Sequence, residues 1–258
     1  MVELRNVRFS RDKKVILNGL SFFIRPKERV AILGGSGAGK TTLLKLILGL
    51  ERPDSGEIFI DGEEITSMNE KQLRRIRTKF TIVFQEGALF DSLSVKDNVA
   101  FYLHEKTHLS ETEIQRRVGE MLDVVGLRDA VDEMPESLSG GMKRRVAIAR
   151  ALIMKEPKMF LYDEPTADLD PVNAEIICKL ILRLSGDGKG FLIVTHEIMH
   201  AVAVAERFMF IENGRCAFDG DKTTFLDPSN HQLSAFAGDL FGEAMYRTPA
   251  HVSSRIRP

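Results

Sequence analysis

The segment GGSGAGKTT, residues 34–42, decides the fold of this chain because it matches the pattern GxxxxGK followed by Ser or Thr. In this pattern the backbone N–H groups of a glycine-rich turn surround an anion, the lysine reaches the β- and γ-phosphates, and the hydroxyl binds Mg²⁺. The predicted nucleotide-binding residues are Gly34, Gly35, Ser36, Gly37, Ala38, Gly39, Lys40, Thr41 and Thr42. A glycine-rich surface loop is the alternative, but residues 29–33 are typical of a buried strand and residues 40–50 of a helix that points its N-terminus at the phosphates.

The composition is that of an ordinary globular protein. Hydrophobic residues make up 43% and charged residues 28% of the 258 residues, which excludes a disordered or fibrous chain. The formal net charge of −1 provides no general attraction for nucleic acid, so we expect no nucleic-acid partner. A basic cluster on a predicted helix is interpreted as a solvated face; its members are Lys71, Arg74, Arg75, Arg77 and Lys79.

The cellular location is predicted from what the sequence lacks. Cys178 and Cys216 have no metal-ligand spacing and are interpreted as reduced thiols. No apolar run approaches the roughly 20 residues that cross a bilayer, and Glu3 and Arg5 stand where a signal peptide would be apolar. We therefore expect a cytoplasmic protein that reaches any membrane by docking on another subunit.

Short apolar strands that alternate with helices predict a mostly parallel sheet, and ligands bind such a sheet at the carboxyl ends of its strands. In addition to the strand at residues 29–33, such strands are predicted at residues 80–84, 158–162 and 191–194. The polar residues that follow them are Gln85, Asp163, Glu164 and His196. Their shared position predicts that they gather beside the phosphate loop.

The domain organisation follows from where the periodicity changes. Residues 2–9 and 15–24 alternate apolar and polar side chains and predict an antiparallel sheet, whereas the stretch between Gly87 and Lys155 is dominated by helical periodicity. The predicted fold is an α/β P-loop NTPase core of the RecA-like type with an antiparallel β subdomain and an inserted helical lobe. Its predicted division is 1–86 with 156–226 for the core, 87–155 for the lobe and 227–258 for a C-terminal extension.

The acidic pair Asp163-Glu164, which follows the strand predicted at residues 158–162, predicts metal binding and hydrolysis. Asp163 would hold Mg²⁺ opposite Thr41, and Glu164 would deprotonate the attacking water as the catalytic base. His196 would hydrogen-bond the γ-phosphate and that water.

A rival interpretation concerns the segment HEIMH, residues 196–200, which matches the zinc protease pattern HExxH. A catalytic zinc ion needs a third protein ligand, and no other histidine of the sequence is placed to suggest one. We therefore favour the nucleotide role for His196.

The segment LSGGM, residues 138–142, resembles the signature of ABC transporter ATPases, and it lies between the phosphate loop and the acidic pair as in that family. The resemblance extends over residues 1–225 and includes a D-loop, ADLD, at residues 167–170. It implies that Gln85 is the Q-loop glutamine, which touches the metal and takes part in catalysis, and that His196 is the switch histidine.

The resemblance also implies a head-to-tail homodimer that binds two ATP molecules. Each ATP would lie between the phosphate loop of one subunit and the signature of the other, where Ser139, Gly140 and Gly141 open a helix. A helix N-terminus of this kind is an anion site, so the chemistry of the residues agrees with the implied role.

Two positions depart from the family pattern. Arg11 stands where an aromatic residue usually stacks on adenine, and a guanidinium can also stack on a base. Met142 replaces the final glutamine of the signature. Met142 and the segments at residues 84–90 and 97–100 resemble the ATPase subunits of Mla-type lipid transporters, which work with an integral membrane permease and an MCE protein.

The alternative function is a soluble ABC-type ATPase that acts as an assembly scaffold or regulator, as in iron–sulfur assembly or cell division. The catalytic residues would be the same in both. For the tail we expect one short helix around Leu233 and Phe236, followed by a frayed basic end.

Overall fold

The computed structural model describes residues 1–85, 88–153, 157–186 and 188–227. The expectations for the tail beyond residue 227 lie outside these residues. No helix in the described part of the chain combines the length and the apolar character needed to cross a membrane.

The strands form two sheets. Their bounds are β1 (Val2–Arg11), β2 (Lys14–Ile24), β3 (Arg29–Leu33), β4 (Ser55–Ile60), β5 (Glu63–Glu64), β6 (Phe80–Val83), β7 (Met159–Asp163), β8 (Gly190–Thr195), β9 (Arg207–Glu212) and β10 (Arg215–Asp221). The larger sheet has the order β10-β9-β3-β8-β7-β6, with β10 antiparallel to β9 and the other neighbours parallel. The smaller, antiparallel sheet has the order β2-β1-β4-β5.

The helices are α1 (Lys40–Ile47), α2 (Glu70–Arg77), α3 (Val95–Lys106), α4 (Glu111–Val124), α5 (Gly140–Leu152), α6 (Pro171–Ser185), α7 (Ile198–Val204) and α8 (Lys222–Phe225). Local sequence signals start several of them. Ser139 caps α5 by accepting a hydrogen bond from the backbone N–H of Met142, and Asp170 caps α6, which begins with Pro171.

Both faces of the parallel sheet are covered, because successive residues of a strand point to opposite faces. On β3, Val30 and Ile32 belong to a core shared with α1 and the antiparallel sheet. Ala31 and Leu33 belong to a second core on the opposite face, which contains buried residues of α3 to α7. The phosphate loop therefore starts from a strand that is held rigidly on both sides.

The observed elements confirm the predicted α/β class, with a mostly parallel sheet and a separate antiparallel one. The helix predicted over residues 40–50 ends earlier, at Ile47, because Gly49 adopts φ 62°. The short helix α7 was not predicted. The division into a core and an inserted lobe stays a prediction.

Candidate nucleotide site

The phosphate loop runs from the end of β3 to the start of α1. Gly37 and Gly39 have φ values of 77° and 94°, in the left-handed region that favours glycine. A Cβ atom at Gly39 would lie 2.9 Å from Cγ2 of Ile16, so β2 also requires a glycine there. A Cβ atom at Gly35 or Gly37 would meet nothing within 4 Å, and this open space above the backbone fits a phosphate group.

Lys40, the first residue of α1, is buried. Its ammonium donates hydrogen bonds to the carbonyl oxygens of Gly34 (2.8 Å) and Gly35 (3.1 Å). It also lies 3.2 Å from Oε1 of Glu164, in an ion pair with both side chains more than nine-tenths buried. The lysine is thus fixed in the loop, next to the acid proposed for catalysis.

Thr41 and Asp163 meet across the loop. The Thr41 hydroxyl donates to Oδ1 of Asp163 at 3.0 Å. Burial raises the pKa of Asp163, an effect that the Thr41 hydrogen bond and the charge of Lys40 only partly offset. Hydroxyl and carboxylate oxygens are the hard ligands that Mg²⁺ prefers, so this pair fits that ion.

Glu164 is held by the neighbouring strand. Its backbone adopts φ 46°, which is uncommon for a residue with a side chain, and its N–H donates to the carbonyl of Val194 at 2.9 Å. Its carboxylate accepts a hydrogen bond from the N–H of His196 (3.1 Å) and lies 3.0 Å from Nδ1 of the same residue. Burial raises the pKa of Glu164, but the contacts with His196 and the charge of Lys40 outweigh burial and lower it, which keeps the carboxylate ionised.

Lys40, Thr41, Glu164 and His196 line one open cleft of about 690 Å³. Asp163 is buried outside the lining and is joined to it through the hydroxyl of Thr41. Its lining consists of Ile16, Gly35, Ser36, Gly37, Gly39, Lys40, Thr41, Thr42, Gln85, Glu164, His196 and Glu197. Of the predicted loop residues, Gly34 packs against the backbone of Ile211, and the N–H of Ala38 donates to the carbonyl of Gly35. The structure therefore brings most of the predicted loop together with residues from three other strand ends.

Two residues of the cleft lining were not predicted from the sequence as part of the nucleotide site. Ile16 lies on β2 and Glu197 follows His196, and the alternating pattern of β2 does not distinguish Ile16 from other half-buried positions. Arg11, predicted under the base, is not in the lining; its guanidinium pairs with Glu51 at 2.7 Å and lies 5.7 Å from the ring of Phe9. A base contact by Arg11 stays a prediction.

The signature residues lie outside the cleft. Ser139 and Gly140 are exposed at the start of α5, and Gly141 is buried against α6. A Cβ atom at Gly141 would lie 2.4 Å from Oδ1 of Asn173, so this position requires glycine because the helices pack closely. Within one chain the two predicted ATP-binding segments do not share a cleft.

The HExxH segment does not form one helix. His196 stands in the loop after β8, whereas His200 is in α7, which begins at Ile198. Nδ1 of His200 lies 2.9 Å from the hydroxyl of Thr166. In the part of the chain that the structure describes, no three His, Cys, Asp or Glu side chains are grouped to hold a metal ion.

The family model described as ABC transporter matches residues 17–167, which is more than half of the chain. The chain belongs to the ABC transporter family. This ABC ATPase uses ATP with Mg²⁺ and is the ATP-hydrolysing subunit of a transporter.

Two relatives of this ABC ATPase differ in what their names say they transport. The intermembrane phospholipid transport system ATP-binding protein MlaF of Haemophilus influenzae is 36% identical over 252 residues, covering 97% of this chain and 95% of MlaF. The methionine import ATP-binding protein MetN of Carboxydothermus hydrogenoformans is 40% identical over 250 residues, covering 95% of this chain and 74% of MetN.

A solved structure has the same fold. The ATP-binding cassette MJ0796, a dimer in a post-hydrolysis state bound to ADP and Pi, has a TM-score of 0.78 and 34% identity, and the match covers 86% of this chain and 99% of that one. The predicted P-loop NTPase fold of this ABC ATPase is confirmed.

Proposed function

We propose that this ABC ATPase powers phospholipid movement as a homodimer that drives an integral membrane permease, which in turn works with an MCE-type lipid-binding protein. In this proposal the chain lies on the cytoplasmic face of the cell membrane, attached through the permease. The observation that supports the lipid assignment is Met142 together with residues 84–90 and 97–100, which resemble the Mla-type subfamily. The similarity to MlaF over 97% of the chain agrees with it.

The proposed chemistry begins with the contacts of Lys40. Bound ATP with Mg²⁺ supplies the phosphoryl group, and the metal neutralises charge on the phosphate oxygens. Lys40 would bind those oxygens and give up its ion pair with Glu164. Oε1 of Glu164 would then be free to accept the proton of the attacking water, while His196 orients that water and the γ-phosphate.

Thr41 and Asp163 would hold the metal ion, and Gln85 would contact it from the cleft wall. Gln85 lies two residues after the end of β6 and is exposed in the cleft lining, where its side chain can move toward the metal. We propose that Gln85 reports metal and nucleotide binding to the permease in this way.

The loop half of the ATP site comprises residues 34–42 with Asp163, Glu164 and His196, and the signature half comprises residues 139–141. In the proposal, the two halves that bind one ATP molecule come from different subunits. The cleft is open, and the exposed N-terminus of α5 offers N–H groups for the phosphates of the partner's nucleotide. The dimeric form of the MJ0796 structure supports this arrangement.

An exposed aromatic pair, from the loop before α3 and from α3 itself, supports the docking of a membrane partner. The rings of Phe90 and Phe101 have centroids 4.6 Å apart, and the two residues are 41% and 40% exposed. Buried Asn98 fixes the backbone that carries Phe90, because its side chain accepts from the N–H of Phe90 and donates to the carbonyls of Phe90 and Leu93. Fixed, exposed aromatic side chains are typical of a protein interface.

The experiment is to purify the complex from its native membrane, identify the integral membrane component, and reconstitute the complex in liposomes. We expect ATP-dependent movement of a labelled phospholipid that Lys40→Ala abolishes. Uptake of labelled methionine without phospholipid movement would overturn the lipid assignment in favour of the function in the name of MetN, which its 40% identity makes the second candidate. Failure to recover any integral membrane component with the chain would overturn the proposed attachment through a permease.

A further inference from the structure

A buried arginine connects the signature helix to the segment that leads into Gln85. Arg144 lies one turn into α5, and 6% of the residue is exposed. Its Nη1 atom donates a hydrogen bond of 2.7 Å to the carbonyl oxygen of Phe84, which is 60 residues away in the sequence. The next residue after Phe84 is Gln85, which lines the nucleotide cleft.

The two ends of this contact belong to different ATP sites in the proposed dimer. Gln85 faces the nucleotide bound by its own subunit, whereas residues 139–141 at the start of α5 face the nucleotide bound by the partner. An α-helix is rigid over one turn, so a displacement of Arg144 shifts the helix N-terminus as well. The hydrogen bond to Phe84 is thus a direct path between the two sites.

Because Arg144 is charged and buried, loss of its hydrogen bond to Phe84 would destabilise the folded protein. A guanidinium stays protonated in proteins, and burying it without a hydrogen-bond acceptor carries a large free-energy penalty. The carboxylates of Asp168, Asp163 and Glu164 attract it, so the guanidinium also responds to the charge on the loop half. Binding of Mg²⁺ and phosphate there changes the field that acts on Arg144.

We propose that Arg144 is a positioning residue that couples nucleotide binding in the cleft of its own subunit to the orientation of the signature N-terminus that receives the partner's nucleotide. The proposal rests on the dimer described above. It concerns cooperation between the two sites, and Arg144 itself does not touch the reacting atoms.

Arg145 provides a matched control. It is the next residue of the same helix and its guanidinium is also partly buried, but its Nη1 donates to the carbonyls of Val125 and Gly126 at the end of α4, away from Gln85. Arg145→Met therefore removes the same charge and side-chain bulk from α5 without touching the Phe84 contact.

The experiment compares Arg144→Met and Arg145→Met in the full chain. In a Glu164→Gln background we measure the dissociation constant of a fluorescent ATP analogue for the monomer and the ATP-dependent dimerisation constant. In the background with Glu164 intact, we measure the Hill coefficient of ATP hydrolysis. We expect Arg144→Met to leave monomer affinity nearly unchanged, to weaken dimerisation about tenfold, or about 1.4 kcal/mol, and to bring the Hill coefficient close to one.

Arg145→Met is expected to lower the melting temperature but to leave dimerisation and the Hill coefficient as they were. If Arg144→Met is too unstable to purify, Arg144→Lys keeps the charge and one donor without the planar fork, and we expect an intermediate loss of dimerisation. Equal dimerisation and cooperativity in the Arg144 variants and Arg145→Met would overturn the inference alone. Failure of Glu164→Gln itself to dimerise with ATP would overturn the proposed dimer and this inference with it.

Discussion

The loop half and the signature half of the proposed ATP site differ in whether their polar groups find partners within a single chain. In the loop half, buried Lys40 and Glu164 form an ion pair, and Thr41 and Asp163 are hydrogen-bonded to each other. In the signature half, Ser139 and Gly140 are exposed, and the Ser139 hydroxyl accepts a hydrogen bond from a neighbour on its own helix, the N–H of Met142.

This difference suggests that the two halves have different functions, one in nucleotide binding and hydrolysis and the other in dimer formation. The loop half holds its residues next to one another before nucleotide binds, and binding requires Lys40 to exchange the carboxylate of Glu164 for phosphate oxygens. The signature half offers an anion site that another molecule must complete, so its contribution depends on assembly. Substitutions in the loop half should therefore act on chemistry, and those in the signature half on association.

The largest effect is expected from Glu164→Gln. Removal of a general base typically lowers the rate about 10²- to 10⁴-fold, so kcat for ATP should fall by that order while ATP binding persists. The matched control is Glu197→Gln, which also changes a carboxylate in the cleft lining, but one that lies 3.5 Å from Nε2 of His196 and 4.0 Å from Nδ1 of His200. Steady-state ATPase assays test the pair, and near-native turnover of Glu164→Gln would remove Glu164 from the role of base.

A smaller effect is expected from an added methyl group in the signature half. Gly141→Ala would bring Cβ to within 2.4 Å of Oδ1 of Asn173, whereas the nearest atom to a Cβ at Gly140 is 3.7 Å away. Overpacking of this kind costs about 1–3 kcal/mol, so Gly141→Ala should lower the melting temperature by several degrees and Gly140→Ala should not.

Thermal unfolding of both glycine variants checks this prediction. Dimer formation should weaken in Gly141→Ala because Asn173 is displaced at the start of α6. Equal melting temperatures for the two variants would show that Asn173 moves aside without cost.

The smallest change in thermal stability is expected from Asp163→Asn, and it has the opposite sign. Burial raises the pKa of Asp163, so its charge destabilises the folded protein at neutral pH, while Asn retains an acceptor for the Thr41 hydroxyl. Without nucleotide, the variant should melt a few degrees higher than the unsubstituted protein, and it should lose Mg²⁺-dependent hydrolysis.

The stability difference should depend on pH. The folded state holds the Asp163 proton more tightly than the unfolded state, so the destabilisation is complete only above the raised folded-state pKa. As the pH falls through that value toward the ordinary carboxylate range, the two melting temperatures should converge. A difference that grows on acidification would contradict the assigned cause of the pKa shift.

The sequence predicted those parts of the site that depend on local pattern. The strand Arg29–Leu33 was predicted with the observed bounds. Apolar strands that end in polar residues predicted the shared position of Asp163, Glu164 and His196 at the carboxyl ends of β7 and β8. The pairing order of the strands was not predicted, because parallel neighbours such as β3 and β8 are far apart in the sequence and periodicity carries no information about which strands pair.

The contacts that depend on three-dimensional packing were also beyond the sequence. The hydrogen bond between Arg144 and Phe84 joins two segments with no pattern in common, and the closeness of Gly141 to Asn173 depends on how α5 meets α6. The predicted role of Arg11 rests on its position in the family pattern, and that position does not reveal its ion pair with Glu51.

The central claim is that each ATP site combines the loop half of one subunit with the signature half of another, and a mixing experiment tests it most directly. Lys40→Ala disables the loop half and Ser139→Arg blocks the signature half, so each variant alone should be inactive. Mixed dimers contain one intact composite site, so combining the two variants should restore ATP hydrolysis, with a maximum at equal amounts. Mixtures that hydrolyse ATP no faster than the separate variants would contradict the composite site.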